Sequence, residues 1–380
     1  MRLVAINRVP EDAVLARDVL VGRSDGIPLL RKGVKMNERF RRGLEQAGIH
    51  AIYIDDKLSE GIVVQHALSD EVRSQTTRAV ASAYESAKET IVTGQAYSER
   101  TLSALSSVVE RILLELEQTG EAAVALADLC SADAYTFQHS VDVTTLGLLI
   151  GRQMLHEHGW LDYRGRRQHN RFDERLYHLG LGLLLHDIGK LAIPADVLHK
   201  PGPLNESEWE LMKTHPRAGF ELLRDSDVSP LVKSVVLRHH ERWNGSGYPD
   251  GRSGTEIHEM ARIAAVADVY DAVTSERVYS PATAPHVGVR IILDGSDVGF
   301  DPFIVRVFSR LVAPFPPGVE VTLEDGRRGI VVSAPEGELD RPVVRIIDDP
   351  SRPYEVSLLE DRSLEIKGWE RRLTETAAAA

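Results

Sequence analysis

The stretch LGLLLHDIGK, residues 181–190, runs four leucines and a glycine directly into an imidazole and a carboxylate, His186 and Asp187. Such an apolar run calls for burial, and a buried polar group without a partner costs several kcal/mol. Any fold available to this chain must therefore supply partners to these two side chains in its interior. Imidazole and carboxylate together suit Fe, Mn, Co or Zn better than Mg, which prefers oxygen alone. Neighbouring helical positions point about 100° apart. One such pair therefore serves a single ion only at a helix edge, or else reaches towards two ions.

A second pair follows in HHERWNGSGYP, residues 239–249, where His239 and His240 close a helical pattern. Gly245, Gly247 and Pro249 then form a stiff loop around Tyr248. His139, His215 and Asp268 sit on further segments that read as amphipathic or buried helices. A lone helical histidine is more often a hydrogen-bonded core or surface residue than a ligand, and His156, His158 and His169, in a polar stretch, are expected to be of that kind. Seven candidates converging from several helices are too many for one four-coordinate ion and suit two ions that share a bridging carboxylate. Lys190, three residues after Asp187, projects from nearly the same face. It becomes a cation for a phosphate if the aspartate is a ligand.

The periodicity places these residues in an all-helical region, 119–314, carried by segments such as FQHSVDVTTLGLLIGRQML, SPLVKSVVLRHHERW and HEMARIAAVADVYDAVTS. Asn205 with Glu208 three residues on reads as a capping box. HEHGWLDYRGRRQHNRFDE, from residue 156, interrupts the pattern as a surface loop. Residues 1–65 alternate short strands with one helix closed by Gly48, a small α+β module. Residues 66–118 are polar and alanine-rich, expected as linker or docking helices broken near Gly94. Beyond the prolines of APFPPG, residues 315–368 alternate as a small β domain with a turn at Asp325-Gly326, expected to be barrel-like, and 369–380 read as a tail. The expected class is mainly α with a small module at each end.

Composition narrows the partners. At 380 residues the chain exceeds the roughly 250 to 300 at which single cores stop growing. A net charge of −12 argues against a nucleic-acid polymer as partner, though a small anion in a local basic pocket is allowed. The single cysteine, Cys130, permits no internal disulfide and reads as a packed thiol. No apolar run approaches the ~20 residues that cross a bilayer, and the N-terminus lacks an export-signal core, so a cytoplasmic protein without a membrane partner is expected.

HDIGK, HHERWNGSGYP and ADVYDAVTSERVY together resemble the HD-GYP family, a branch of the HD metal-dependent phosphohydrolases, over about residues 130–312. The resemblance implies hydrolysis of cyclic di-GMP to pGpG, often onward to GMP, by hydroxide held in a centre of two divalent ions, iron or manganese. It assigns His139, His186, Asp187 and Asp268 to one ion, and Asp187 with His215, His239 and His240 to the other. Lys190 and Arg277 match residues that grip phosphate oxygens, and Tyr248 of the GYP loop would meet a guanine face or the backbone beside it. Tyr135 stands where members with a third metal carry glutamate, which favours two ions. Ser280 occupies a place often basic in relatives. With the long 156–175 segment, it leaves room for an alternative: a silent cyclic-dinucleotide receptor or signalling adaptor. A homodimer or a signalling protein partner stays open for the linker helices.

Overall fold

In the computed structural model, residues 1–19, 28–93, 98–118, 135–162, 164–275 and 283–369 are described. Near the N-terminus, β1 (Arg2–Ala5), β2 (Val14–Leu15) and β3 (Ala51–Asp55) make an antiparallel sheet in the order β1-β3-β2. Between the second and third strands runs α1 (Glu38–Gln46). It starts where the Asn37 side chain accepts from the Phe40 amide at 2.9 Å, and stops before Gly48, whose φ of +72° few other residues adopt.

The polar, alanine-rich stretch folds as α2 (Asp70–Thr93) and α3 (Glu99–Gln118), packed on each other and on the main helical core. Gly94 lies outside the described residues, as do Cys130 and residues 370–380 of the tail. Alternating small and aliphatic residues on α2, among them Val80, Ala83 and Ala87, are fully or nearly fully buried. A buried Arg73–Asp142 ion pair, 2.5 Å, ties α2 to α4 (Tyr135–His158).

The 156–175 segment is more ordered than its polar composition suggested. Helix α4 continues to His158, and β4 (Trp160–Leu161) pairs with β5 (Arg167–Gln168) in a short hairpin before α5 (Phe172–Leu185). The hairpin is held by its own turn, where the Asp162 carboxylate accepts from the Arg164 and Arg166 amides at 2.9 Å, and by contacts beyond it. The Arg175 guanidinium lies 4.3 Å over the Trp160 ring and donates to Glu259 at 2.6 Å.

Helix α5 is buried along nearly its whole length and packs against α3, α4 and α9 (Pro230–Arg238). It is the central rod of the helical unit because its leucines have apolar neighbours on every side. Short helices α6 (Ala195–Leu198), α7 (Glu206–Met212) and α8 (His215–Leu223) follow, with the Asn205–Glu208 capping box formed at the start of α7. The remaining helices are α10 (Glu259–Thr274), α11 (Pro285–Asp294) and α12 (Pro302–Leu311).

The C-terminal strands differ from expectation. β6 (Glu320–Leu323), β7 (Arg328–Ser333), β8 (Val343–Ile346), β9 (Tyr354–Ser357) and β10 (Ile366–Trp369) form one antiparallel sheet in the order β10-β6-β7-β8-β9. The sheet is open, not a barrel, since β9 and β10 stand at opposite edges. Its apolar face is covered from elsewhere: Leu3, Tyr53 and Val64 share a cluster with Val319, Val321, Val331 and Val344. The Leu3 amide donates to the Gly318 carbonyl at 2.9 Å, and Arg2 bridges Asp56 and Glu320. A face already buried by the N-terminal strands has no need to close on itself.

Candidate metal centre

Each candidate ligand sits where its local backbone turns it inward. His186 is the C-cap of α5, and Asp187 begins the 3-10 turn Ile188–Ala192. The helix therefore ends between them, and the two adjacent side chains can address a common space. His239 is likewise the C-cap of α9, with His240 just beyond. His215 opens α8, while His139 and Asp268 project from within α4 and α10. All are buried except His240, which is partly exposed.

Asp187 stands between two sets of imidazoles. Its Oδ2 lies 3.3 Å from His186 Nε2 and 3.7 Å from His139 Nε2. Its Oδ1 lies 3.3 Å from His215 Nε2 and 3.8 Å from His239 Nε2. Asp268 spans the same divide, with Oδ1 3.2 Å from His139 Nε2 and Oδ2 3.7 Å from His240 Nδ1. Ligand atoms of Asp187, His215, His239 and His240 fall within 4.8 Å of one another, and those of His139, His186 and Asp187 form a second such group.

The other ring nitrogens are already committed. Nδ1 of His186, His215 and His239 donates to the carbonyl three residues earlier, on Leu183, Met212 and Val236, at 2.7, 2.7 and 3.0 Å. That fixes the tautomer and leaves Nε2 with its lone pair facing the cluster. His139 turns its Nδ1 instead to Asp271 Oδ2, at 2.6 Å.

Two atoms in this cluster, His186 Nε2 and Asp187 Oδ1, are buried without a hydrogen-bond partner. The 3.3 Å approach of His186 to Asp187 does not have the geometry of a hydrogen bond. Orphaned atoms of this kind are costly in a packed interior. A cation would satisfy them, and the nitrogen and carboxylate donors fit a divalent transition metal.

The electrostatics are set for that charge. Burial opposes ionisation of Asp187, but the Lys190 ammonium outweighs it and holds the carboxyl well below the usual range. Asp268 behaves alike, with burial overcome chiefly by its hydrogen bond with His139. Burial, with His186 and His215 for His239 and with His239 for His240, keeps both of these imidazoles far below their ordinary value and hence neutral. His139 differs: burial works against its charged form, yet Asp268 and Asp271 pull it up to about 9.

Lys190 Nζ pairs with Asp187 Oδ2 at 2.5 Å and remains partly exposed. Tyr248 stacks on the His240 ring, centroids 4.7 Å apart at 29°. Burial, helped by Asp268 and Asp187, pushes its phenol up, so the hydroxyl stays protonated. Arg277 and Ser280 lie outside the described residues, as does the side chain of Tyr135.

Two residues not singled out in the sequence belong to this constellation. Asp271 orients His139, and Glu241, 1% exposed, accepts from the Asp250 and Arg252 amides at 2.8 and 3.0 Å, binding the GYP loop back onto the histidine pair. Both could have been found by the argument used for Asp187. Each is a carboxylate set in a largely apolar or ligand-bearing stretch, ADVYDAV and RHHERW.

Residues 157–304 match a family model described as HD domain. "Cyclic di-GMP phosphodiesterase PA4108" of Pseudomonas aeruginosa is 35% identical over 287 residues, covering 74% of this chain and 64% of that protein. "Cyclic di-GMP phosphodiesterase response regulator RpfG" of Xanthomonas campestris pv. campestris is 44% identical over 140 residues, 36% of this chain and 37% of its own. "3'3'-cGAMP-specific phosphodiesterase 2" of Vibrio cholerae is 45% identical over 97 residues, 25% of this chain and 19% of its own. The chain thus spans less than two thirds of the length of each of these relatives. Among the described residues no helix is long and apolar enough to cross a membrane. The domain match and a histidine–aspartate pair seated where two histidine sets meet lead to one assignment: residues 157–304 of this chain carry an HD domain.

Proposed function

We propose that this chain is a metal-dependent phosphodiesterase that opens cyclic di-GMP to pGpG. The observation that carries the reading is Asp187, whose two oxygens face different histidine sets while one of them lacks a hydrogen-bond partner. Two ions, iron or manganese, would fit the centre. His139, His186, Asp187 and Asp268 would hold one, and Asp187, His215, His239 and His240 the other.

Two such ions, when bound, neutralise charge on the phosphoryl group and lower the pKa of water at the site. The chain's own residues do the rest. The i−3 carbonyls and Asp271 hold the imidazoles in one orientation, so little reorganisation accompanies reaction. Lys190, paired with Asp187 and partly exposed, would offer its ammonium to a non-bridging phosphate oxygen, and Arg277 would be the second cation by resemblance. Tyr248, protonated and stacked on His240, stands at the rim as a donor. In this reading the catalytic unit is 119–314, flanked by the N-terminal module 1–65, linker helices 66–118, the β unit 315–368 and the tail.

The test is anaerobic purification with metal analysis, then incubation with cyclic di-GMP and chromatography for pGpG and GMP. Linear product at a rate that follows metal content supports the enzyme. Tight binding without product makes the chain a receptor, and preferential cleavage of 3'3'-cGAMP moves the substrate assignment.

A further inference from the structure

We infer that Trp209, on α7, is the platform on which a purine base of the bound cyclic dinucleotide stacks. This rests on the proposed substrate class and adds the residue that grips its base.

Stacking needs an aromatic face that is both free and close to the reacting centre. Tyr248, the aromatic of the GYP loop, does not meet the first condition fully. One face of its ring lies against the His240 imidazole, 4.7 Å away at 29°. That face supports a candidate ligand and is closed to a base.

Trp209 meets both conditions. Its centroid lies 6.4 Å from that of Tyr248 with the rings at 81°. An edge-to-face approach occupies at most one face of the indole. The residue is 47% exposed, and α7 buries none of its residues. A large aromatic on a helix with no core of its own contributes little to folding where it stands. The helix is nevertheless rigidly placed. Its capping box fixes the start, and Lys200 pairs with Glu208 at 2.5 Å, on the turn that carries Trp209. It also leads within a few residues into His215, so the position of Trp209 is geared to the metal cluster.

The aromatic series runs outward from the centre: His215, His240, Tyr248, Trp209, each ring in contact with the next. A dinucleotide with its phosphate at the cluster can carry a base outward along this row, and Trp209 is its outermost and most exposed ring. Stacking accepts any purine. Trp209 therefore sets affinity, while the choice between guanine and adenine comes from other contacts.

Three proteins decide it: the parent, Trp209→Ala and Trp209→Phe, each Mn-reconstituted and matched in metal content. Cyclic di-GMP turnover gives kcat and KM. Tryptophan emission during titration of the metal-free proteins with cyclic di-GMP gives a reading independent of activity. The expected result is a KM raised about 5- to 100-fold in Trp209→Ala, with kcat within about twofold. Trp209→Phe should recover most of the loss, and the larger part of the parent's emission change on ligand addition should vanish in both variants. A KM unchanged in Trp209→Ala, or an undiminished emission change in Trp209→Phe, overturns the stacking role alone. A parent that neither binds nor cleaves cyclic di-GMP overturns the substrate reading and this inference with it.

Discussion

Asp271 Oδ2 lies 2.6 Å from Nδ1 of His139 and so aims the opposite nitrogen, Nε2, at Asp187 and Asp268. Asp271 is one helical turn from Asp268 on α10, so the same helix presents a candidate ligand and the group that orients another candidate ligand. Asp271→Asn should leave helical content intact and weaken Mn binding about 10- to 100-fold. Titration calorimetry on the metal-stripped protein reads this directly, and parental affinity in the variant would leave Asp271 without a positioning role.

Glu241 supports the rim as Asp271 supports the interior. Its buried carboxylate receives two backbone amides of the GYP loop. In Glu241→Gln one amide N–H faces an NH2 group, an unmet donor costing about 1–3 kcal/mol. Thermal unfolding should shift down accordingly, and KM for cyclic di-GMP should rise more than kcat falls. An unchanged melting midpoint would contradict the clamp.

Gly189 lets the turn after Asp187 touch α8. A Cβ there would collide with the His215 carbonyl oxygen and the Gly219 backbone nitrogen. Gly189→Ala should destabilise by about 1–3 kcal/mol or more and push His215 away from Asp187. Metal retention after dialysis should then fall, and full retention at parental stability would show that the turn can yield.

His258 gives a pH dependence that does not involve the metal cluster. Its Nδ1 accepts from the Met260 amide at 3.2 Å as the cap of α10, which requires the neutral ring. Burial, with Arg175, Arg262 and Arg238 nearby, lowers it from 6.5 to about 4. The unfolded chain therefore binds the proton that the folded chain refuses, and the stabilisation is full above pH 6.5 and lost as pH falls towards 4. The loss reaches about 3 kcal/mol. In His258→Asn, which keeps a capping side chain, stability between pH 6.5 and 4 should decline less steeply than in the parent, and an identical decline would remove His258 as its source.

What was legible in the sequence followed from one rule, that polar groups in apolar runs must find partners. It brought out His186-Asp187, His239-His240 and Asp268, and the structure gathers them with His139 and His215. The same rule applies to Asp271 and Glu241, which the sequence reading did not single out, because spacing alone does not separate a ligand from the group that orients it. Two features depended on contacts distant in sequence. Glu259 reaches the hairpin at Trp160 through Arg175, and the C-terminal sheet stays open because Leu3, Ala16, Tyr53 and Val64 cover it. Neither dependence leaves a mark in the local alternation of the strands concerned.

The shared carboxylate is the point on which all of this turns, and metal stoichiometry tests it most directly. Metal-stripped parent and Asp187→Ala, matched by circular dichroism, are reconstituted with Mn, desalted and analysed for bound metal, then given cyclic di-GMP. Two ions per parent chain with pGpG formed, against at most one ion and no product in Asp187→Ala, is the predicted result. Two ions retained in Asp187→Ala with parental turnover would contradict it.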